Sequence, residues 1–244
     1  MLKEVEYNNN YFSVFYTERV SIGDFSGVKS IVANKYFEKY PNGISVAGSR
    51  DSIQVLKFSK VADLLNKNVH VFIPTGKDTE MIQSLYETNA NINRVPYGYR
   101  TVLNKRSRDF AIENDLGHVQ VGMMEEFAFN AIADIYQELL KDIDFTVYNR
   151  ILFPVGSGTS LIGFCRFCER NGIEIPIVGV SCGMNVDKII NKYINDSNII
   201  NLTIVESSLK YEDKFSNGLD LNETYEAKLL EHVSNGDLLI TVDK

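Results

Sequence analysis

Gly156, Ser157, Gly158, Thr159 and Ser160 stand between a short apolar run, residues 151–155, and an apolar-rich segment of helical length, residues 161–170. Strand, glycine loop and helix start make up the geometry in which backbone N–H groups point outward at an anion. The two glycines let the backbone come close, and the three hydroxyls add donors. The spacing narrows the anion. A nucleoside-triphosphate loop needs Gly-Lys-Ser/Thr, yet no lysine occurs between Arg150 and Arg170. A dinucleotide fingerprint needs G-x-G-x-x-G, yet after Gly156 and Gly158 the next glycine is Gly163. A single phosphate monoester, held by backbone and hydroxyls alone, fits the pattern. The alternative is an ordinary strand-to-helix turn built of small residues.

Two further places carry groups that could do chemistry. Lys29 falls in the first turn of a helix that Ser26 or Gly27 can cap, with Ile31, Val32, Tyr36 and Phe37 as its apolar positions. A cation there opposes the helix dipole, which suits an amine that gives up its charge in an imine. The second place is the strand-to-helix junction of residues 47–54, where ligands of open α/β sheets bind. Ser49, Ser52 and Gln54, with the N–H groups of the helix start, could hold a carboxylate. Arg50 could pair with Asp51 or clamp a carboxylate in a bidentate manner. Asp51 itself reads equally well as the cap of the following helix.

The run Pro154-Val155-Gly156-Ser157-Gly158-Thr159-Ser160-Leu161-Ile162-Gly163 resembles the phosphate loop of the fold-type II pyridoxal-phosphate enzymes, the tryptophan synthase β-like superfamily. Within them it is most similar to the branch of 1-aminocyclopropane-1-carboxylate deaminase and D-cysteine desulfhydrase, which includes short phage-encoded members. By this resemblance Gly27-Val28-Lys29 matches the Gly-Asn-Lys whose lysine forms the Schiff base with the cofactor. The loop of residues 47–54 matches the one that binds the substrate carboxylate. Asp51 stands where the family has an asparagine against the cofactor's phenolic oxygen, and a carboxylate facing a phenolate repels it unless one of them carries a proton. Tyr225 matches a tyrosine that approaches cofactor or substrate. Thr241, on a last strand over residues 238–242, is the candidate contact of the pyridine nitrogen, with the register open by one residue. The resemblance thus implies pyridoxal 5'-phosphate, a homodimer, and elimination or deamination of a small amino acid. Decarboxylation of an amino acid attached to a carrier such as a phage DNA base is one alternative. A non-catalytic cofactor-binding protein is the other.

The elements that must position these groups follow from periodicity. Residues 7–20 are rich in aromatic and β-branched types and suggest one or two strands. From Gly43 onward, strands 44–47, 69–73, 91–95 and 118–121 alternate with helices 52–65, 78–88 and 99–114. That alternation predicts parallel sheets flanked by helices, an α/β fold of two domains. Residues 44–121 would form a small domain inserted between 1–43 and 122–244 of a large one. A helix is expected from Gly122 to about 141, a strand over 175–181 and a helix over 185–193. Tyr97 and Tyr99, in a turn after Pro96, could lie over a ligand, although packing or exposure explains them as well.

The whole chain sets the outer limits. Its 244 residues, 44% hydrophobic, are enough for a sizeable core. A net charge of −7 gives no support to nucleic-acid binding. No run reaches transmembrane length and the first residues lack a signal-peptide core, so no membrane partner and a cytoplasmic location are expected. Cys165, Cys168 and Cys182 are too few for a disulfide framework, and no matching second pair of zinc ligands accompanies them. His70 alternates as a strand residue does and reads as structural.

Overall fold

The structure, a computed structural model, describes residues 1–96, 99–182, 186–194, 201–210, 213–216 and 218–242. The chain forms two compact units: Met1–Val28 with Glu125–Lys244, and Lys29–Met124. In the first, β1 (Leu2–Tyr7) and β2 (Asn10–Phe15) make an antiparallel hairpin, Leu2 opposite Phe15. Asn8 and Asn9 both take positive φ, as a two-residue hairpin turn requires. A two-residue ladder, β3 (Ser21–Ile22) with β4 (Phe25–Ser26), follows.

The second unit runs α1 (Val28–Lys39), β5 (Ile44–Ala47), α2 (Ile53–Leu65), β6 (Val69–Pro74), α3 (Glu80–Tyr86), β7 (Asn91–Val95), α4 (Arg100–Glu113) and β8 (Gly117–Val119). Its four strands are parallel in the order β7-β6-β5-β8. Ala47, Phe72, Val95 and Leu103 form one buried cluster of its core. The units divide at Val28/Lys29 rather than after residue 43, as the strand pattern alone suggests. The reason is packing: Tyr36 and Phe37 of α1 lie against Phe58 of α2, with ring centroids 5.5 and 6.5 Å away.

The first unit resumes with α5 (Glu126–Leu139), β9 (Arg150–Val155), α6 (Thr159–Asn171), β10 (Ile177–Ser181), α7 (Asp187–Ile194), β11 (Leu202–Glu206) and β12 (Asp237–Ile240). Its sheet has the order β1-β2-β12-β9-β10-β11, parallel except for β1. Strand β9 is buried on both faces, so successive residues serve different cores. Leu152 joins Phe12, Val14, Leu229 and Leu239. Phe153 stacks on Phe164 of α6 and meets Tyr136 of α5 edge-on. Helices α5 and α6 approach so closely that a Cβ on Gly163 would lie 2.4 Å from Ile132 Cγ2.

Two expectations need correction, and one strand was not anticipated. The helix after Gly122 starts at Glu126, because Gly122 takes φ 80 inside a 3-10 turn over Val121–Met123. The last strand ends at Ile240, which leaves Thr241 just beyond it. Strand β11 is an unforeseen edge, half-buried at Leu202, Ile204 and Val205, where no alternation stands out.

The start of β12 is fixed by charge. Asp237, 1% exposed, accepts from Arg150 Nε at 2.9 Å and Nη2 at 3.0 Å, and Arg150 Nη2 also donates to the His232 carbonyl at 2.6 Å. Replacing Asp237 with Ala strands a guanidinium that is 30% exposed. The expected loss is about 3 kcal/mol, the lower end for breaking a buried pair, read as a lower midpoint in urea unfolding.

Candidate functional site: a glycine cup and an N-terminal lysine

The cup grows directly out of β9. Gly158 is the residue before α6 and takes φ 92, a left-handed conformation that costs a residue with a Cβ. Gly158, a glycine, brings no side chain of its own to cap α6, and the helix has no acidic residue in its first turn. The positive end of its dipole suits an anion. Ser157 Oγ and Thr159 Oγ1 are 3.2 Å apart, which places two hydroxyls at the same mouth. Ser160, the second residue of the helix, is half-buried.

Gly156 has a different reason to be glycine. A Cβ there would lie 2.7 Å from both Cε1 and the hydroxyl oxygen of Tyr225. The Tyr225 ring thus closes one wall of the cup. Asn222 Oδ1 accepts from the backbone of Thr224 and Tyr225, and the Tyr225 carbonyl accepts from Cys182 Sγ at 3.4 Å. Opposite Gly158 stands Ile190 of α7, whose Cγ1 would be 3.4 Å from an added Cβ. These features fit a phosphate ester: hydroxyl donors, a helix start with no acid of its own, and two glycines where a side chain would collide or strain.

In the other unit, Lys29 is the second residue of α1, half-buried, after Gly27 at φ 80 and the fully buried Val28. The loop between β5 and α2 is equally defined. Ser52, not Asp51, is the helix cap: its Oγ accepts from Val55 N at 3.4 Å, while Asp51 is exposed. A Cβ on Gly48 would lie 2.7 Å from Ser52 Oγ, so the loop folds tightly on its cap. Gln54 is buried and uses both ends of its amide, donating to the Gln120 carbonyl at 3.0 Å and accepting from Gly122 N at 3.0 Å. Arg50 donates Nη1 to the Lys77 carbonyl at 2.9 Å and packs close to Gly76, where a Cβ would be 2.6 Å from Nη1. Ser49 is exposed beside them.

These positions make a direct contrast testable. Ser52→Ala should cost about 1 kcal/mol through the lost cap, whereas Asp51→Ala should leave the unfolding midpoint nearly unchanged. Equal losses would return the cap to Asp51.

Thr241 sits in a closed network of the first unit. Its hydroxyl accepts from Thr17 N at 2.9 Å and can donate to Glu18 Oε2 at 2.8 Å or the Phe15 carbonyl at 3.2 Å. Glu18, like Ile190, went unnoticed in the sequence, where it is one acidic residue among many. Tyr99 is exposed and Tyr97 lies outside the described residues. Burial raises the thiol pKa of all three cysteines, to about 12 for Cys168 and about 11 for Cys182. They are therefore poor nucleophiles. Among the described residues no cluster of metal-ligating side chains is present, and no helix is long and apolar enough to cross a membrane.

No protein-family model and no curated protein matches the sequence. Solved structures do match the fold. An ACC deaminase homologue superposes with a TM-score of 0.72 at 12% identity, covering 96% of this chain and 84% of its own. A hydrogen sulfide-producing enzyme from Fusobacterium nucleatum gives 0.67 at 12%, over 100% and 93%. A pyridoxal 5'-phosphate-dependent aspartate racemase gives 0.58 at 12%, over 96% and 69%. At such identity the likeness is one of fold.

Proposed function

We propose that this chain is a pyridoxal-phosphate enzyme that acts at the α-carbon of a small amino acid, most simply by elimination or deamination. The observation that carries the reading is the cup: a helix start entered through Gly158 in the left-handed conformation, with no acidic residue in its first turn. It is supported by the fold, shared with a deaminase homologue and a pyridoxal 5'-phosphate-dependent racemase.

Each residue then has a role. Gly156, Ser157, Gly158, Thr159 and Ser160 bind the phosphate ester, with Tyr225 closing the wall beside Gly156. Lys29 would be the lysine that holds the cofactor and, as a free amine, the base that takes or returns the α-proton. Bound pyridoxal phosphate supplies a sink for the negative charge that develops at the α-carbon. Ser49 and the backbone at the start of α2 receive the substrate carboxylate. Ser52, Arg50 and Gln54, given the bonds they make within their own unit, hold that loop in shape. Asp51 remains the candidate neighbour of the phenolic oxygen, where its charge would favour the protonated oxygen.

Incubating the cofactor-saturated protein with single small amino acids and measuring 2-oxo acid and ammonia tests the reading. Release from at least one of them, absent in Lys29→Ala, is the expected outcome. Carbon dioxide or inverted amino acid instead would move the reaction to decarboxylation or racemisation. No turnover at all would leave a binding protein.

A further inference from the structure

Strand β1 ends the first unit's sheet, and its outer edge pairs with no strand among the described residues. Which backbone groups face outward follows from its pairing with β2. The Met1 ammonium donates to the Tyr16 carbonyl at 3.0 Å, and Tyr16 N donates to the Met1 carbonyl at 2.9 Å. Antiparallel alternation then turns the amides of Lys3, Val5 and Tyr7 inward to β2 and those of Leu2, Glu4 and Glu6 outward. The outward N–H and C=O groups form a template for a further strand.

Charge decides what can add to this edge. Glu4 and Glu6 share a face of the strand, are exposed, and pair with no cation among the described residues. The Tyr11 hydroxyl donates to Glu6. On the same face a groove of about 530 Å³ is lined by Glu4, Glu6, Tyr11, Ser13, Val147 and Tyr148. Tyr11 and Val147 are 63% and 66% exposed. The groove reaches Gly236 and Asp237 at the amino end of β12, whereas the cup follows the carboxyl end of the parallel β9. A second copy suits the edge badly. Two-fold pairing centred on Glu4 sets Glu4 on Glu4, centring on Val5 sets Glu4 on Glu6, and centring on Lys3 sets Lys3 on Lys3. Like charges directly opposite one another destabilise a pair of strands.

We propose that β1 is a docking edge for an extended segment of another protein in which basic residues alternate with apolar ones. Bonds to the outward groups of Leu2, Glu4 and Glu6 add the segment to the sheet as a further strand. Its basic residues stand opposite Glu4 and Glu6, with their aliphatic stems along Tyr11 and Val147. The apolar residue between them stands opposite Val5, on the other face, and extends the cluster against which Val5 and Tyr7 pack. The same carboxylates that repel a second copy thus select a partner of opposite sign.

The test uses the full-length protein and an end-blocked hexapeptide of alternating lysine and valine at low ionic strength. Amide hydrogen exchange, read by NMR, should be fast at Leu2, Glu4 and Glu6 in the free protein and slowed by about tenfold or more in excess peptide. Lys3, Val5 and Tyr7, bonded to β2, should exchange slowly throughout. Fluorescence anisotropy should show at least about tenfold weaker binding of the same peptide methylated on its lysine backbone amides, and of a peptide with glutamate in place of lysine. Glu4→Lys combined with Glu6→Lys should weaken the lysine peptide by a similar factor. Equal affinity for the methylated peptide would reduce the contact to charge attraction and overturn the proposal. Equal affinity for the acidic peptide, or no binding of the basic one, would overturn it too. Exchange at Leu2, Glu4 and Glu6 that slows with protein concentration alone would give the edge to a second copy, and that result likewise contradicts the proposal.

Discussion

Lys29→Ala should retain no covalently bound pyridoxal phosphate and should lose turnover by about 10²–10⁴-fold or more, the range spanned by loss of one positioned proton-transfer group. The residue serves twice in the proposed chemistry, as attachment point and as base, so both measurements should fall together. Its place supports the choice. Lys29 stands one residue after a fully buried Val28 in the first turn of α1, where no acidic residue accompanies it. Substituting a structural surface lysine in that turn would instead relieve an unfavourable helix-dipole interaction. Turnover and cofactor retention that both survive Lys29→Ala would remove it from the mechanism.

Gly158→Val should weaken binding of pyridoxal phosphate by more than about tenfold, the equivalent of one lost charge-assisted hydrogen bond. Valine is poorly tolerated at φ 92, so the backbone before α6 must turn and carry its N–H groups off the anion. A control lies at the far end of the same helix. Gly172 follows α6 at φ 62, and a Cβ there would meet nothing within 4 Å. Gly172→Val should therefore destabilise the fold by a comparable amount, about 1–2 kcal/mol, and leave affinity unchanged. If both variants lose affinity equally, the effect is one of general stability. If neither does, the cup does not hold the phosphate.

Much of this was legible in the sequence wherever a local rule dominates. Strand β9 followed by two glycines and a helix was readable because a buried apolar run and a glycine-rich helix start leave plain marks. The regular β-α alternation of residues 44–119 was readable for the same reason. Interactions distant in sequence were not. That Gly156 must be glycine because Tyr225 lies against it depends on residues 69 positions apart. Asp51 was the cap the sequence suggested; Ser52 beside it is of an equally good capping type, and only the fold of the loop selects it. Glu18 gave no signal, because its meaning comes from Thr241 at the other end of the chain. The division at Val28/Lys29 was hidden as well: the pattern of α1 shows an apolar face but not that Phe58 covers it.

Borohydride reduction of the cofactor-saturated protein, followed by peptide mass mapping, tests the central claim most directly. The predicted result is a pyridoxyl adduct on the peptide that contains Lys29, absent from every other lysine peptide and lost when Lys29 is replaced by Ala. An adduct on another lysine, or none on a saturated sample, would contradict it.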